Sequence, residues 1–75
     1  MLPPLDDSSE IVAFGAAVRR IRKGKKISMQ QLAHQADIEL SQIYRIETGK
    51  INPKLTTILN IARALDVSPT EFFNS

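Results

Sequence analysis

Between residues 39 and 48 the chain reads Glu-Leu-Ser-Gln-Ile-Tyr-Arg-Ile-Glu-Thr. Wound as a helix, with about 100° between successive residues, this stretch puts Ile43 and Ile46 on one side with Ile38 just before it, and Glu39 and Glu47 at that side's edges. Ser41, Arg45 and Thr48 fall opposite, flanked by Gln42 and Tyr44. Such side chains suit hydrogen bonding to the edges of base pairs: arginine donates two bonds to guanine, glutamine pairs with adenine, and serine is permissive. A helix serving only as surface more often carries glutamate-lysine pairs. The residues expected to face bases are Glu39, Leu40, Ser41, Gln42 and Arg45, those at the helix start approaching a groove most closely. Leu40 has two readings, contact with a thymine methyl group or packing against a neighbouring helix. Tyr44 also has two, contact with a sugar-phosphate backbone or cover for the apolar edge of its own helix.

Holding such a helix requires others around it, and the punctuation predicts five, with no period-two alternation or β-branched runs to suggest strands. The first starts near Ser8 or Ser9, carries Ile11, Phe14, Val18 and Ile21 on one face, and ends near Lys23-Gly24. The second opens on Ser28, with Gln31 three residues on as a capping box and Ile27 ready to pack on Leu32; Ala33 and Ala36 extend its buried face. The third is the 39–48 helix, stopped by Gly49 in a left-handed position, with Ile38 and Ile43 as a second staple. The fourth begins near Lys54 and lines up Leu55, Ile58, Ile61, Ala62 and Leu65. The fifth is announced by Ser68-Pro69-Thr70-Glu71, with Glu71 completing a box and Val67 packing on Phe72.

The 75 residues include no cysteine and one histidine, and 43% are hydrophobic. That is one domain, with residues 1–8 read as a flexible N-terminal arm and 9–75 as the folded unit. A chain of this size buries only about 60% of its unfolded surface. It must therefore close its core by helix packing or dimerisation. The lack of cysteine fits a reducing compartment, and the cytoplasm is the expected location. The start of the chain has neither the basic region of a secretory signal nor an apolar run long enough for a membrane. No Ser/His/Asp set, phosphate-cradling glycine loop or metal-ligand cluster is present, so neither an enzyme nor a bound metal or other cofactor is expected. His34 reads as a surface residue or a neighbour of phosphate, not a metal ligand or catalytic group, and Phe72 as core. Phe73 and Leu59 lack obvious internal partners and are candidates for a dimer seam.

Charge matters more by position than by its total of +2. Asp6, Asp7 and Glu10 lie at the front, Arg19, Arg20, Arg22, Lys23, Lys25 and Lys26 follow, and Lys50 and Lys54 flank a later loop. The basic run is either a surface for a polyanion or a solvated helix end that complements the macrodipole.

The ordered series Phe14-Gly15, Arg22, Ile27-Ser28, Gln31-Leu32-Ala33, Ile43, Arg45-Ile46-Glu47, Gly49-Lys50, Pro53, Ile61-Ala62 and Leu65 resembles the Cro/C1-type helix-turn-helix family, also called XRE or lambda-repressor-like, over about residues 11–73. The resemblance implies an all-α, compact five-helix domain that binds double-stranded DNA as a symmetric dimer with residues 39–48 in the major groove. It implies an ion pair between Arg22 and Glu47, which charge logic supports because both lie at the edges of apolar faces. It places phosphate contacts at Ser28, Met29, Gln30, Lys50, Asn52 and Lys54, where helix N-terminal amides and basic side chains supply the chemistry; Tyr44 joins them if it meets the backbone. The sequence departs from the family at Met29, often glutamine, at Asp37, usually glycine, and at Glu39, usually a small capping residue.

These readings lead to a sequence-specific transcriptional regulator, a homodimer on an inverted repeat with half-sites about 34 Å apart. The alternative, motivated by the low net charge, Asp37 and Glu39, is an antitoxin or accessory subunit that chiefly binds a toxin-like protein partner.

Overall fold

A computed structural model describes residues 7–73 as four α-helices and a closing 3₁₀ turn: α1 (Asp7–Gly24), α2 (Met29–Ala36), α3 (Leu40–Glu47), α4 (Leu55–Leu65) and η1 (Pro69–Phe72). Among these residues there is no strand. Helix α1 takes in the last two positions of the expected arm; residues 1–6 lie outside the described part, as do 74 and 75.

Apolar spacing puts Phe14, Ala17 and Val18 of α1, Leu32, Ala33 and Ala36 of α2, Ile43 and Ile46 of α3, Ile61, Ala62 and Leu65 of α4, and Phe72 into one core. Helix α1 packs on α3, α2 packs on both α3 and α4, and η1 closes against α1 and α4. Two expected placements change. Leu55 does not join the inner face of α4 but stands 70% exposed in its first turn. The fifth helix is a four-residue 3₁₀ turn. Its i→i+3 bonds, Glu71 N–H to Ser68 O and Phe73 N–H to Thr70 O, tighten it. Ser68 Oγ accepts from Thr70 N–H instead of the third residue expected for a capping box. Phe72 is nevertheless buried and meets Phe14 edge to face, with ring centroids 5.2 Å apart.

The expected box at α2 is complete: Gln31 N–H donates to Ser28 Oγ at 3.0 Å and Ser28 N–H to Gln31 Oε1 at 2.8 Å. All four helices end in the same way, with a left-handed residue whose own N–H and the next N–H close back on the last turn. Lys26, Asp37, Gly49 and Asp66 take that position. The residues that follow make the longer closing bond, Ile27 to Arg22 O, Ile38 to Ala33 O, Lys50 to Arg45 O and Val67 to Ala62 O. Ile27, Ile38 and Val67 then pack against the core. After α3 the corresponding residue is Lys50, which is exposed, so the motif that elsewhere anchors a loop inward here presents a cation at the end of the candidate reading helix.

Candidate nucleic-acid interface

Helix α3 is held from behind by two contacts. Gly15 is buried, and a Cβ at that position would overlap the carbonyl oxygen of Ile46, so the missing side chain is what lets the backbones of α1 and α3 meet. Arg22 and Glu47 form the expected pair, with Nε donating to Oε2 at 2.6 Å and Nη2 to Oε1 at 3.0 Å. The third guanidinium nitrogen, Nη1, donates to the carbonyl of Ile27 at 2.7 Å. One buried side chain therefore ties α1, the turn before α2, and α3 together. With a bidentate carboxylate and a carbonyl all satisfied, it sets the angle between the start of α2 and the outer face of α3.

Ser41, Tyr44, Arg45 and Thr48 face outward and are exposed, while Ile43 and Ile46 are buried. Thr48 Oγ1 donates to the Tyr44 carbonyl of its own helix at 2.8 Å. Met29, Leu40, Ser41, Tyr44, Arg45 and Lys50 line one shallow concavity of about 550 Å³. Six of the sequence-predicted residues are thus brought together from the start of α2, α3 and the loop after it. Ser28 and Gln30 are exposed beside them, at the head of α2, where the first-turn amides of a helix have no intrahelical acceptor.

The remaining candidates lie apart. Glu39 caps α3 through its backbone, with no side-chain capping bond, and borders a separate polar cleft with His34 and Asp37. Gln42 is half-buried on the flank of α3. Asn52 borders a groove with Ile58 and Phe73, and Lys54 is exposed as the cap of α4. His34 is exposed, as expected. Phe73 is 63% exposed yet does have an internal partner, since its ring stacks on Phe14 at 5.8 Å. Leu59 is 40% exposed one turn after Leu55.

Sequence reasoning set Arg22 apart through its expected pair with Glu47 but left the other bases of the run undivided between two readings. Arg22 turns inward, whereas Arg19, Arg20, Lys23, Lys25 and Lys26 are exposed. Arg19 and Lys23 share a cleft with Met29, Tyr44 and Thr48, next to the concavity on α3. Their spacing of four residues was the signal that they share a face of α1.

Two short helices, joined through the left-handed Asp37 and presenting one polar outer face, define a helix-turn-helix domain. The helix-turn-helix family model matches residues 18–72, and the chain belongs to this Cro/C1-type family of DNA-binding regulators. It is 36% identical over 56 residues to the immunity repressor protein of Bacillus phage phi105, covering 75% of this chain and 39% of the repressor. It is 37% identical over 62 residues to control protein C.BamHI of Bacillus amyloliquefaciens, covering 81% of this chain and 76% of that one. The chain thus spans well under half of the phage repressor's length, but three quarters of the control protein's. Among solved structures, the restriction-modification controller protein C.AhdI from Aeromonas hydrophila superposes with a TM-score of 0.85 at 35% identity, covering 87% of this chain and 98% of that one. No helix among the described residues is long and apolar enough to cross a membrane.

Proposed function

We propose that the protein is a sequence-specific transcriptional regulator that binds as a homodimer to an inverted repeat, with α3 in the major groove. The observation that carries this reading is the clustering of Ser41, Tyr44 and Arg45 with Met29, Leu40 and Lys50 on one open face, while Arg22–Glu47 and the Gly15 contact hold α3 from the other side. Arg45 reads a base, and Glu39, Leu40, Ser41 and Gln42 complete the reading set. Ser28, Met29, Gln30, Tyr44, Lys50, Asn52 and Lys54 position the backbone, joined by Arg19 and Lys23. The relatives, by name a repressor and controller proteins, agree with this role. Nothing in the structure singles out a toxin-like partner.

Selection of binding sites from a random DNA library at two salt concentrations tests the reading, because phosphate contacts make affinity fall steeply with salt. The expected product is a two-fold symmetric motif; no enrichment at low salt would overturn the reading. On the selected operator, Arg45→Ala should cost about 1–3 kcal/mol at one base position and relax the preference there. Arg19→Gln and Lys50→Ala should instead weaken all sequences alike, each lowering the salt slope by about one per half-site, or about two for the homodimer. A uniform loss from all three variants would contradict the division into reading and positioning residues.

The seam between subunits is assigned to the outer face of α4 and to Phe73. Leu55, Ile58 and Leu59 share one side of that helix, and Ile58 borders the groove that Phe73 also lines. Leu55 and Leu59 are exposed, so Leu55→Glu/Leu59→Glu should leave the helical circular dichroism unchanged. Sedimentation should then show a monomer at concentrations where the parent is a dimer. A variant of unchanged mass in solution would move the seam elsewhere.

A further inference from the structure

The concavity on α3 is more apolar than hydrogen bonding to base edges and phosphates requires. Its lining is predominantly apolar although Arg45, Lys50 and Ser41 contribute to it, and long basic side chains carry methylene stems that suit such a surface. Leu40 is 45% exposed and Tyr44 51% exposed, and no core residue covers them. Met29, half-buried, forms the floor's third apolar wall. Leu40 and Tyr44 lie one helical turn apart, and so do Ser41 and Arg45. The two stripes run side by side along α3, one apolar and one polar.

We propose that this concavity is a receptor for the 5-methyl group of a thymine, placed within one or two base steps of the guanine that Arg45 reads. The inference rests on the DNA-reading assignment above and specifies what that face recognises. Charge complementarity supports the occupant: apolar walls flanked by Arg45 and Lys50 fit an apolar group carried on a polyanion, and in the major groove the thymine methyl is that group. Geometry supports the spacing, since residues three apart on a helix, as Ser41 of the polar stripe and Tyr44 of the apolar one are, lie about 5–6 Å apart and successive bases about 3.4 Å. Leu40 is the specificity-determining residue, with Met29 and Tyr44 completing the walls. The three supply shape, so the site distinguishes thymine from the other bases by its methyl group.

The test uses the selected operator with each thymine replaced in turn by deoxyuridine, which deletes the methyl group and keeps the base-pairing edge. Loss of one buried methyl should weaken binding about fourfold per half-site, or roughly 15-fold when both half-sites are changed. The effect is expected at one position beside the guanine whose readout Arg45→Ala removes. In the Leu40→Ala protein, whose exposed position leaves the fold intact, thymine and deoxyuridine operators should bind alike to within twofold. Insensitivity of the operator to every such replacement, or full sensitivity persisting in Leu40→Ala, would overturn the methyl receptor while leaving the DNA reader standing. Failure to select any operator would remove both.

Discussion

Arg22→Ala should lower the unfolding free energy by about 3–5 kcal/mol, because it leaves the Glu47 carboxylate buried and unpaired. The carboxylate now receives two hydrogen bonds from the guanidinium, and the Ile27 carbonyl receives a third. The side chains of both partners are almost fully buried. A 75-residue domain has roughly 4–11 kcal/mol of total stability at 0.05–0.15 kcal/mol per residue, so the single substitution should consume much of it. Urea titration followed by circular dichroism measures the loss. The double variant Arg22→Met/Glu47→Leu, which removes both charges and keeps apolar bulk, should recover most of that stability, since a buried ion pair and well-packed apolar groups of similar volume are often equivalent. Recovery of the fold without recovery of operator binding is the expected pattern, because the pair also sets how the head of α2 lies relative to α3. A loss below 1 kcal/mol in Arg22→Ala would show that the pair contributes little.

Gly15→Ala should be of similar size, about 3 kcal/mol, at the upper end of what overpacking a core costs. The added Cβ would meet the backbone of Ile46 and Glu47, not the flexible end of a side chain. Relief therefore requires α1 and α3 to move apart as rigid bodies, exposing part of Phe14, Val18 and Ile46. Thermal unfolding and operator binding should fall together. The internal control is Gly24→Ala, at the exposed end of the same helix, where a Cβ has nothing within 4 Å and which should change stability by less than 1 kcal/mol, toward greater stability, as expected for alanine against glycine in a helix. Equal effects of the two substitutions would show that helix propensity, not the close approach of α1 to α3, governs Gly15.

Much of this arrangement was legible before any coordinates. The Ser28 and Gln31 box, the left-handed Gly49 and the inward Ile43 and Ile46 appear where residue types and spacing place them, and the Arg22–Glu47 pair appears where the family resemblance implies it. Each is a local rule or a strong chemical preference, expressed within a few residues or required by the cost of an unpaired buried charge. The misplacement of Leu55 came from treating the face of α4 as continuous. Helical periodicity says which residues share a face, but how far along that face a neighbour reaches depends on where the other helices end. The closing turn was misread for a related reason: cap, proline and glutamate mark a helical start, but not how many residues the chain can add before Phe72 must enter the core.

What the sequence determined by itself is the course of the four α-helices and the sidedness of α3, because periodicity and caps act on residues one at a time or within a turn; the partner of Arg22, 25 positions away, came from the family resemblance. The tertiary structure alone decided that Arg19 and Lys23 stand beside the head of α2 and the outer face of α3, that Met29, Leu40 and Tyr44 form one apolar concavity with Arg45 and Lys50, and that Leu55 remains exposed. Those facts depend on the angles at which separate helices cross. The crossing angles follow from shape at contacts such as Gly15 on Ile46, which bring together residues 31 positions apart in the chain.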